Sequence, residues 1–426
     1  MTSSHALTMD DLLQAWLPDF LIQRLSRDSG FLERDRKLDP VFLVWTLILG
    51  WTSGSTRSLS GLWRAYQRHL GCDCDRSSFY KRLNPSLLRL MRLLWPEVMR
   101  KHAPHQLGAF KDIVAIDSTI LALYQRLVGD YPSCHEGKAA CKLHVIMSLS
   151  RASPNRVLID AGKAAEHKGW RLIGDWVKGH LFLMDLGYYD TWSFHRLASH
   201  GATFLTRVKK NCALKIVRDL SPGAGRRPQI EGETVSQALS RMTRQHVEFV
   251  VDVPVKLRGG RVKHYHWRVL AQKNAHTGTY HVYMTNAARA LIDVDDVGEL
   301  YALRWQIELL FKGLKSVGRL HHLPSRKPEV VKLLILSALM FVVLSGWLRK
   351  MLCSQDSRLV EGFMRTVLVL REHGETLLGE LAQTRPRYRK RNGIEPFRAQ
   401  CRDPNRYRKR AFCIAPIVEY SQLYTF

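Results

Sequence analysis

The sequence predicts a mixed α/β fold behind an all-helical N-terminal domain, and three observations carry that expectation. Residues 1–105 space their apolar side chains at helical intervals. From Asp112 the pattern changes to short apolar runs of strand length, several of them separated by helical stretches. A segment of aromatic-rich strands then leads into a last set of helices. With 426 residues, 46% of them apolar, the chain is long enough to bury more than one core.

In the N-terminal part helices are expected over Leu12–Leu25, Val41–Trp51, Leu59–Leu70 and Leu87–Met99, with breaks at Pro18, Gly30, Gly54, Gly71 and Pro85. Ser77 and Ser78 are helix-start candidates, followed by Lys81, Arg82, Arg89 and Arg92. A basic helical bundle fits a DNA-binding module; a packing or oligomerisation bundle fits the same pattern. Beyond Asp112, strands are expected over 113–117, 120–124, 142–150, 156–162, 181–185 and 203–207, and helices over 171–180 and 191–200. Residues 208–290 read as a β-rich insertion with the runs VEFVVDVPVKL, KHYHWRVLAQ and TYHVYMTN, followed by a helix over 293–317. Leu333–Leu348 is nearly free of polar groups but falls short of the roughly 18 residues of a membrane span, so a buried core helix is expected.

Lys and Arg total 65 against 38 Asp and Glu, a formal charge of +27. That exceeds what solubility needs and calls for a polyanionic partner. The charge is spread along the whole chain, which favours nucleic acid over a membrane surface. Residues 384–411 interleave Arg and Lys with Tyr388, Phe397 and Tyr407, a composition suited to phosphates and bases and equally to a solvated tail. The eight cysteines contain no C-x-x-C pair, and Cys72-Asp-Cys74 is too weak a pattern for a zinc site. With no secretory signal pattern, a reducing, cytoplasmic and nucleoid-associated setting is expected.

The chemistry concentrates in YALRWQIELLFKGLK, Tyr301–Lys315. Tyr301, Arg304, Glu308 and Lys315 fall on one face at 3.6 residues per turn, opposite an apolar stripe of Leu303, Ile307, Leu310 and Leu314. Such a face suits phosphate and metal, and is also that of an ordinary solvated edge. Two apolar runs end in aspartates, Asp117 and Asp185. With Glu308 they make three carboxylates, the oxygen donors that hard divalent cations take. Three carboxylates can hold two ions roughly 3.5–4 Å apart for an in-line displacement at phosphorus. Asp160 also ends an apolar run, so spacing alone leaves the aspartate choice open. Asp112 precedes its strand and Asp190 begins a helix. His144, in a strand after Asp117, reads as a structural histidine.

These motifs resemble the DDE transposases of bacterial insertion sequences, specifically the insertion-sequence-four type with its Y-x2-R-x3-E-x6-K signature. Tyr301, Arg304, Glu308 and Lys315 complete that signature, with Trp305 beside the arginine and Phe311-Lys312 after the glutamate. Ile116-Asp117-Ser118-Thr119 is similar to the first aspartate motif and Met184-Asp185-Leu186-Gly187-Tyr188 to the second. Phe204–Lys209 and Tyr283–Asn286 are similar to the stretches after the second aspartate and before the signature helix. The resemblance covers roughly residues 30–350.

The resemblance implies a ribonuclease H-like catalytic core, 106–207 and 291–355, interrupted by the β-rich insertion at 208–290. A helical DNA-binding domain at 1–105 and a basic C-terminal region at 356–426, for DNA binding or dimerisation, complete the expected organisation. It further implies that Asp117, Asp185 and Glu308 bind Mg²⁺, with Mn²⁺ able to substitute. Tyr301, Arg304 and Lys315 are expected on DNA phosphates and the terminal base, with Trp305 and Lys312 beside them. The implied partners are transposon ends and target DNA, bound by a homodimer in a paired-end complex, with cut-and-paste through a hairpin and no membrane. An aromatic from the insertion, Trp267 or Tyr280, or else His281, would receive a base pulled from the stack. A ribonuclease H-like nuclease without strand transfer, or a non-catalytic DNA-binding protein, are the alternative readings; the intact carboxylates weigh against the second.

Overall fold

The structure is a computed structural model that describes residues 8–33, 38–53, 58–70, 75–100, 109–151, 153–209, 213–221, 229–257, 259–274, 277–317, 320, 323–355 and 363–383. Cys72-Asp-Cys74 and the basic stretch 384–411 lie outside the described residues.

Helix α1 (Met9–Trp16) starts from a reciprocal cap between Thr8 and Asp11, and Pro18 separates it from α2 (Asp19–Asp28). Asp39 caps α3 (Pro40–Trp45), which runs on into a π-helical turn, Thr46–Gly50. Then come α4 (Leu59–Leu70), α5 (Arg76–Arg82) and α6 (Pro85–Arg100). The α5 cap is Asp75, whose carboxylate accepts from the Ser78 N–H at 2.9 Å, and not Ser77 or Ser78 as the sequence suggested. Part of the expected basic face is spent locally: Arg82 and Arg89 donate to the Phe31 and Ser29 carbonyls at the end of α2, at 3.5 and 3.2 Å. Lys81 and Arg92 remain exposed.

The strands are β1 (Asp112–Leu123), β2 (Ala139–Ser148), β3 (Ser153–Ala161), β4 (His180–Met184), β5 (Thr203–Arg207), β6 (Lys215–Asp219), β7 (His246–Lys256), β8 (Val262–Lys273) and β9 (Tyr280–Thr285). They form one nine-stranded sheet in the order β3-β2-β1-β4-β5-β9-β8-β7-β6. The β1–β4 and β4–β5 pairs are parallel and the others antiparallel. The β-rich insertion therefore extends the central sheet rather than forming a separate one. It also contains β6 and a short helix α8 (Val235–Arg241), neither of which the strand pattern suggested.

Two further expectations change. Asp117 does not end a strand: the two runs expected at 113–117 and 120–124 are one strand, and β1 pairs with β2 without interruption from Val114↔Ser148 to Leu123↔Ala139. The expected helix over 171–180 is absent. Two 3₁₀ turns, Glu166–Leu172 and Asp175–Val177, precede β4, because Gly174 is fully extended and Gly179 takes φ +79°.

Each face of the sheet carries a core. On one lie α7 (Thr191–Ser199), α8 and the 3₁₀ turn with Trp170. On the other lie the N-terminal helices, the signature helix, α11 (Pro328–Gln355) and α12 (Phe363–Gln383). By length and composition α11 could cross a membrane, but 89% of its most apolar window is buried within the protein, between α6, α12 and the sheet. Helix α12 was not expected in the C-terminal region. It packs against α11 and the π-helical turn, where Gly374 allows an approach so close that an added Cβ would sit 3.2 Å from the Leu49 carbonyl oxygen.

A buried ion pair ties the insertion to the segment that leads into the signature helix. Glu248 on β7, fully buried, accepts from Arg268 Nε on β8 at 2.7 Å, and Arg268 Nη1 donates to the Ala287 and Ile292 carbonyls at 3.1 and 3.0 Å. Arg268→Met strands the Glu248 charge with only half-exposed Arg289 at 3.5 Å. A loss of about 3–5 kcal/mol is expected in denaturant unfolding, against a much smaller loss for the paired replacement Glu248→Leu/Arg268→Met.

Candidate active site

Strand alternation decides where the aspartates point. Ile113 and Ala115 of β1, and Leu181 and Leu183 of β4, face the core that holds the signature helix, while Val114, Ile116, Phe182 and Met184 face the other. Asp117 and Asp185 continue the odd-numbered series, so they point to the helix side. The parallel register pairs Ile116 with Met184, which puts the two aspartates next to each other beyond the ladder's last pair. Asp160, the competing choice, lies on β3 in an ion pair with Lys168 at 3.3 Å. Asp112 is fully buried at the other end of β1, bonded to Ser148, and Asp190 caps α7.

The signature helix is continuous but not uniform: α9 (Val297–Ala302), a 3₁₀ turn Leu303–Trp305, α10 (Gln306–Lys312) and a π-helical turn Gly313–Val317. Tyr301 anchors it. The ring is buried against Tyr283, with centroids 5.1 Å apart, and the hydroxyl donates to the Met184 carbonyl at 3.1 Å, one residue before Asp185. Burial pushes this phenol up to about 12, so it stays a donor.

Arg304 joins the carboxylates. One guanidinium nitrogen donates to Glu308 Oε1 at 2.8 Å, the other lies 3.8 Å from Asp117 Oδ2, and the group sits 5.8 Å from the Tyr301 ring centroid. Burial works against its charge, but the bond to Glu308 and the nearby Asp185 hold its pKa above the ordinary guanidinium value. Its Nε and Nη1 are buried without a hydrogen-bond partner. Burial pushes the Asp117 carboxyl up to about 6, and Asp185 and Glu166 add repulsion, against the Ser118 N–H and Arg304. Trp305 is 50% exposed, Lys312 is exposed and Lys315 is half-exposed in the π-helical turn.

Among the described residues no three Asp, Glu, His or Cys side chains converge tightly enough to hold a metal ion. The donor set nevertheless fits a hard divalent cation: all ligands are carboxylate oxygens, and Arg304 supplies between Asp117 and Glu308 the positive charge that an ion would bring. Asp117, Asp185 and Glu308 are the residues that would hold it.

Of the three candidates for a displaced base, Trp267 is excluded by packing: it is 4% exposed between Phe204 and Tyr265. His281 is engaged by Arg207 at 3.1 Å. Tyr280 lines a cavity of about 640 Å³ with Leu186, Arg207, Lys209 and Lys273 around it, and Lys273 lies 5.6 Å from its ring centroid.

The sequence reading missed two contributors. Glu166, in the 3₁₀ turn after β3, lies near enough to act on Asp117 as a negative charge. Tyr188, in the second aspartate motif, is buried with its hydroxyl 3.3 Å from His144 Nδ1. Gly187, in the same motif, was the available signal.

The family model for the Transposase DDE domain matches residues 108–344. This chain is a DDE transposase. Among curated relatives, the transposase for insertion sequence element IS231B of Bacillus thuringiensis subsp. berliner is 22% identical over 404 residues, covering 83% of this chain and 82% of the relative. The transposase for insertion sequence element IS1151 of Clostridium perfringens is 21% identical, covering 76% and 77%. Among solved structures, a piggyBac transposase synaptic complex with hairpin DNA aligns over 92% of this chain and 84% of its own, at 10% identity and a TM-score of 0.46, too distant to bear on this transposase.

His144 tests the side of the site that faces away from the helix. It is fully buried, its Nε2 has no partner, and burial, with Lys142 nearby, pushes its pKa down to about 4. Between its unfolded value near 6.5 and 4 the unfolded chain binds a proton that the folded one does not. Stability present above pH 6.5 is therefore lost as the pH falls, by an amount on the order of 3 kcal/mol. Urea unfolding of His144→Gln between pH 7 and 4 should show a shallower decline than the wild type; parallel curves would mean that His144 does not titrate in this way.

Proposed function

We propose that this transposase binds the terminal inverted repeats of an insertion sequence and carries out metal-dependent cleavage and strand transfer, by cut-and-paste through a hairpin. What supports the proposal is Arg304 lying between Asp117 and Glu308, with Asp185 near enough to act on its charge, on a helix that Tyr301 pins to the second aspartate's strand. The catalytic core is read as ribonuclease H-like, on the parallel β1–β4–β5 centre and the antiparallel β1–β2–β3 edge.

Bound Mg²⁺ would supply the charge neutralisation that in-line displacement at a phosphodiester needs. The chain's own residues do the rest. Asp117, Asp185 and Glu308 offer the oxygen donors. Arg304, released from the carboxylates, presents a planar fork suited to a phosphate. Tyr301 fixes the helix by its bond to Met184, and Lys312 and Lys315 extend the cationic edge toward the duplex. Tyr280 and the cations around its cavity receive a base displaced when the strand bends into a hairpin. The net charge of +27 supports binding to transposon ends and target DNA. A homodimer on paired ends, acting in the cytoplasm at the nucleoid, completes the proposal.

A labelled duplex carrying the element's own end, incubated with Mg²⁺ or EDTA, tests it. Wild-type protein is expected to cut at the element boundary only with metal. Asp185→Asn and Glu308→Gln should bind the end and not cut it. Arg304→Ala should bind similarly and cut at least about tenfold more slowly, from loss of one charge-assisted contact. Cutting that ignores the end sequence would indicate a simple nuclease, and tight binding without cutting under any metal a non-catalytic DNA-binding protein.

A further inference from the structure

We propose that Glu166 is a fourth carboxylate of the catalytic centre, binding the divalent cation alongside Asp117 and Asp185; the inference rests on the transposase reading of that site. Glu166 opens the 3₁₀ turn Glu166–Leu172, and that turn is firmly placed. Trp170 is buried edge-on to Tyr188 at 6.0 Å. Gly169 is so close to the same side chains that an added Cβ would lie 3.0 Å from the Tyr188 ring and 3.2 Å from His144 Nδ1.

From that turn the Glu166 carboxylate lies over Gly187, two residues after Asp185. A Cβ at position 187 would collide with Glu166 Oε2. Gly187 is not among the glycines with positive φ, so its backbone conformation is open to any residue. A side chain there would have to push the Glu166 carboxylate, the far end of a flexible side chain, out of the space it holds.

The charge arrangement is the second argument. Glu166 is half-buried and acts on Asp117 as a neighbouring negative charge, and it makes no ion pair or side-chain hydrogen bond among the described residues. Nearby Lys168 is committed to Asp160. Arg304 contacts Asp117 and Glu308 from the helix side, while Glu166 comes from the 3₁₀ turn packed on the opposite core. Holding like charges together around the aspartates is unfavourable unless a cation sits among them. The function that the structure assigns to Glu166 is to complete the oxygen set on the side that Glu308 does not reach.

Mn²⁺ binding to the full chain without DNA, followed by electron paramagnetic resonance, tests this apart from cleavage. Glu166→Gln keeps the shape and removes the charge; it should weaken Mn²⁺ binding by about 10-fold or more. Gly187→Ala should weaken it as well by displacing the carboxylate, and the double variant should bind no worse than Glu166→Gln alone. Asp117→Asn is the comparator. Wild-type affinity in Glu166→Gln or Gly187→Ala, with binding lost in Asp117→Asn, overturns the role of Glu166 and leaves the site reading intact. Wild-type affinity in Asp117→Asn too overturns both. Circular dichroism and thermal unfolding of each variant establish that the fold is kept.

Discussion

The Arg304 guanidinium, shared between Asp117 and Glu308, is the interaction on which the rest of the site depends. Without it, a helix carrying a glutamate would have to lie against a strand carrying an aspartate, with Asp185 alongside. The repulsion would act on groups already partly removed from water, as the upward shift of Asp117 shows. The arginine offsets that repulsion from within the same helix, one turn before Glu308. Its Nε and Nη1 make no hydrogen bond, which leaves donor capacity for another anion. In the proposed function the guanidinium that neutralises the resting site would turn to phosphate, giving one residue two successive partners of the same chemistry.

Placement of that arginine rests on the sheet and on the insertion. The sheet sets the aspartates, because a parallel register and period-2 alternation put Asp117 and Asp185 side by side on the helix face. The insertion sets the helix. Its strands join the core through β9, and the Glu248–Arg268 pair holds the carbonyls of Ala287 and Ile292 just before α9 begins. Tyr301 then closes the circuit onto Met184. Breaking the chain of contacts at β8 would thus reach the carboxylates through the helix.

Much of this was legible in the sequence. β2 to β5 and β7 to β9 lie close to the apolar runs that announced them. The apolar helix near the C-terminus is a core helix as expected, but it runs to 28 residues, longer than its apolar run suggested, so burial and not length makes it one. The choice of Asp117 over Asp160 was not decided by spacing; it came from family resemblance, and in the structure Asp117 lies beside Arg304 of the signature helix while Asp160 pairs with Lys168. The failures have local causes. The polar Asp117-Ser118-Thr119 interrupts the apolar pattern and divided the expected strand in two, yet ladder pairing with β2 carries it through. Residues 171–180 have helical spacing, but Gly174 and Gly179 take conformations that end a helix. Trp267 looked available as a strand aromatic and is instead packed on Phe204. Arg304 could be placed on the right face, but which carboxylates it would join depends on a contact nearly two hundred residues away along the chain.

The most direct measurement of the central claim is a crystal structure of the protein grown with Mn²⁺, with anomalous scattering used to place the ions. The account predicts anomalous density among Asp117, Asp185 and Glu308, with the Arg304 guanidinium moved off the carboxylates. Anomalous density elsewhere, or Arg304 still bridging Asp117 and Glu308 at saturating Mn²⁺, would contradict it.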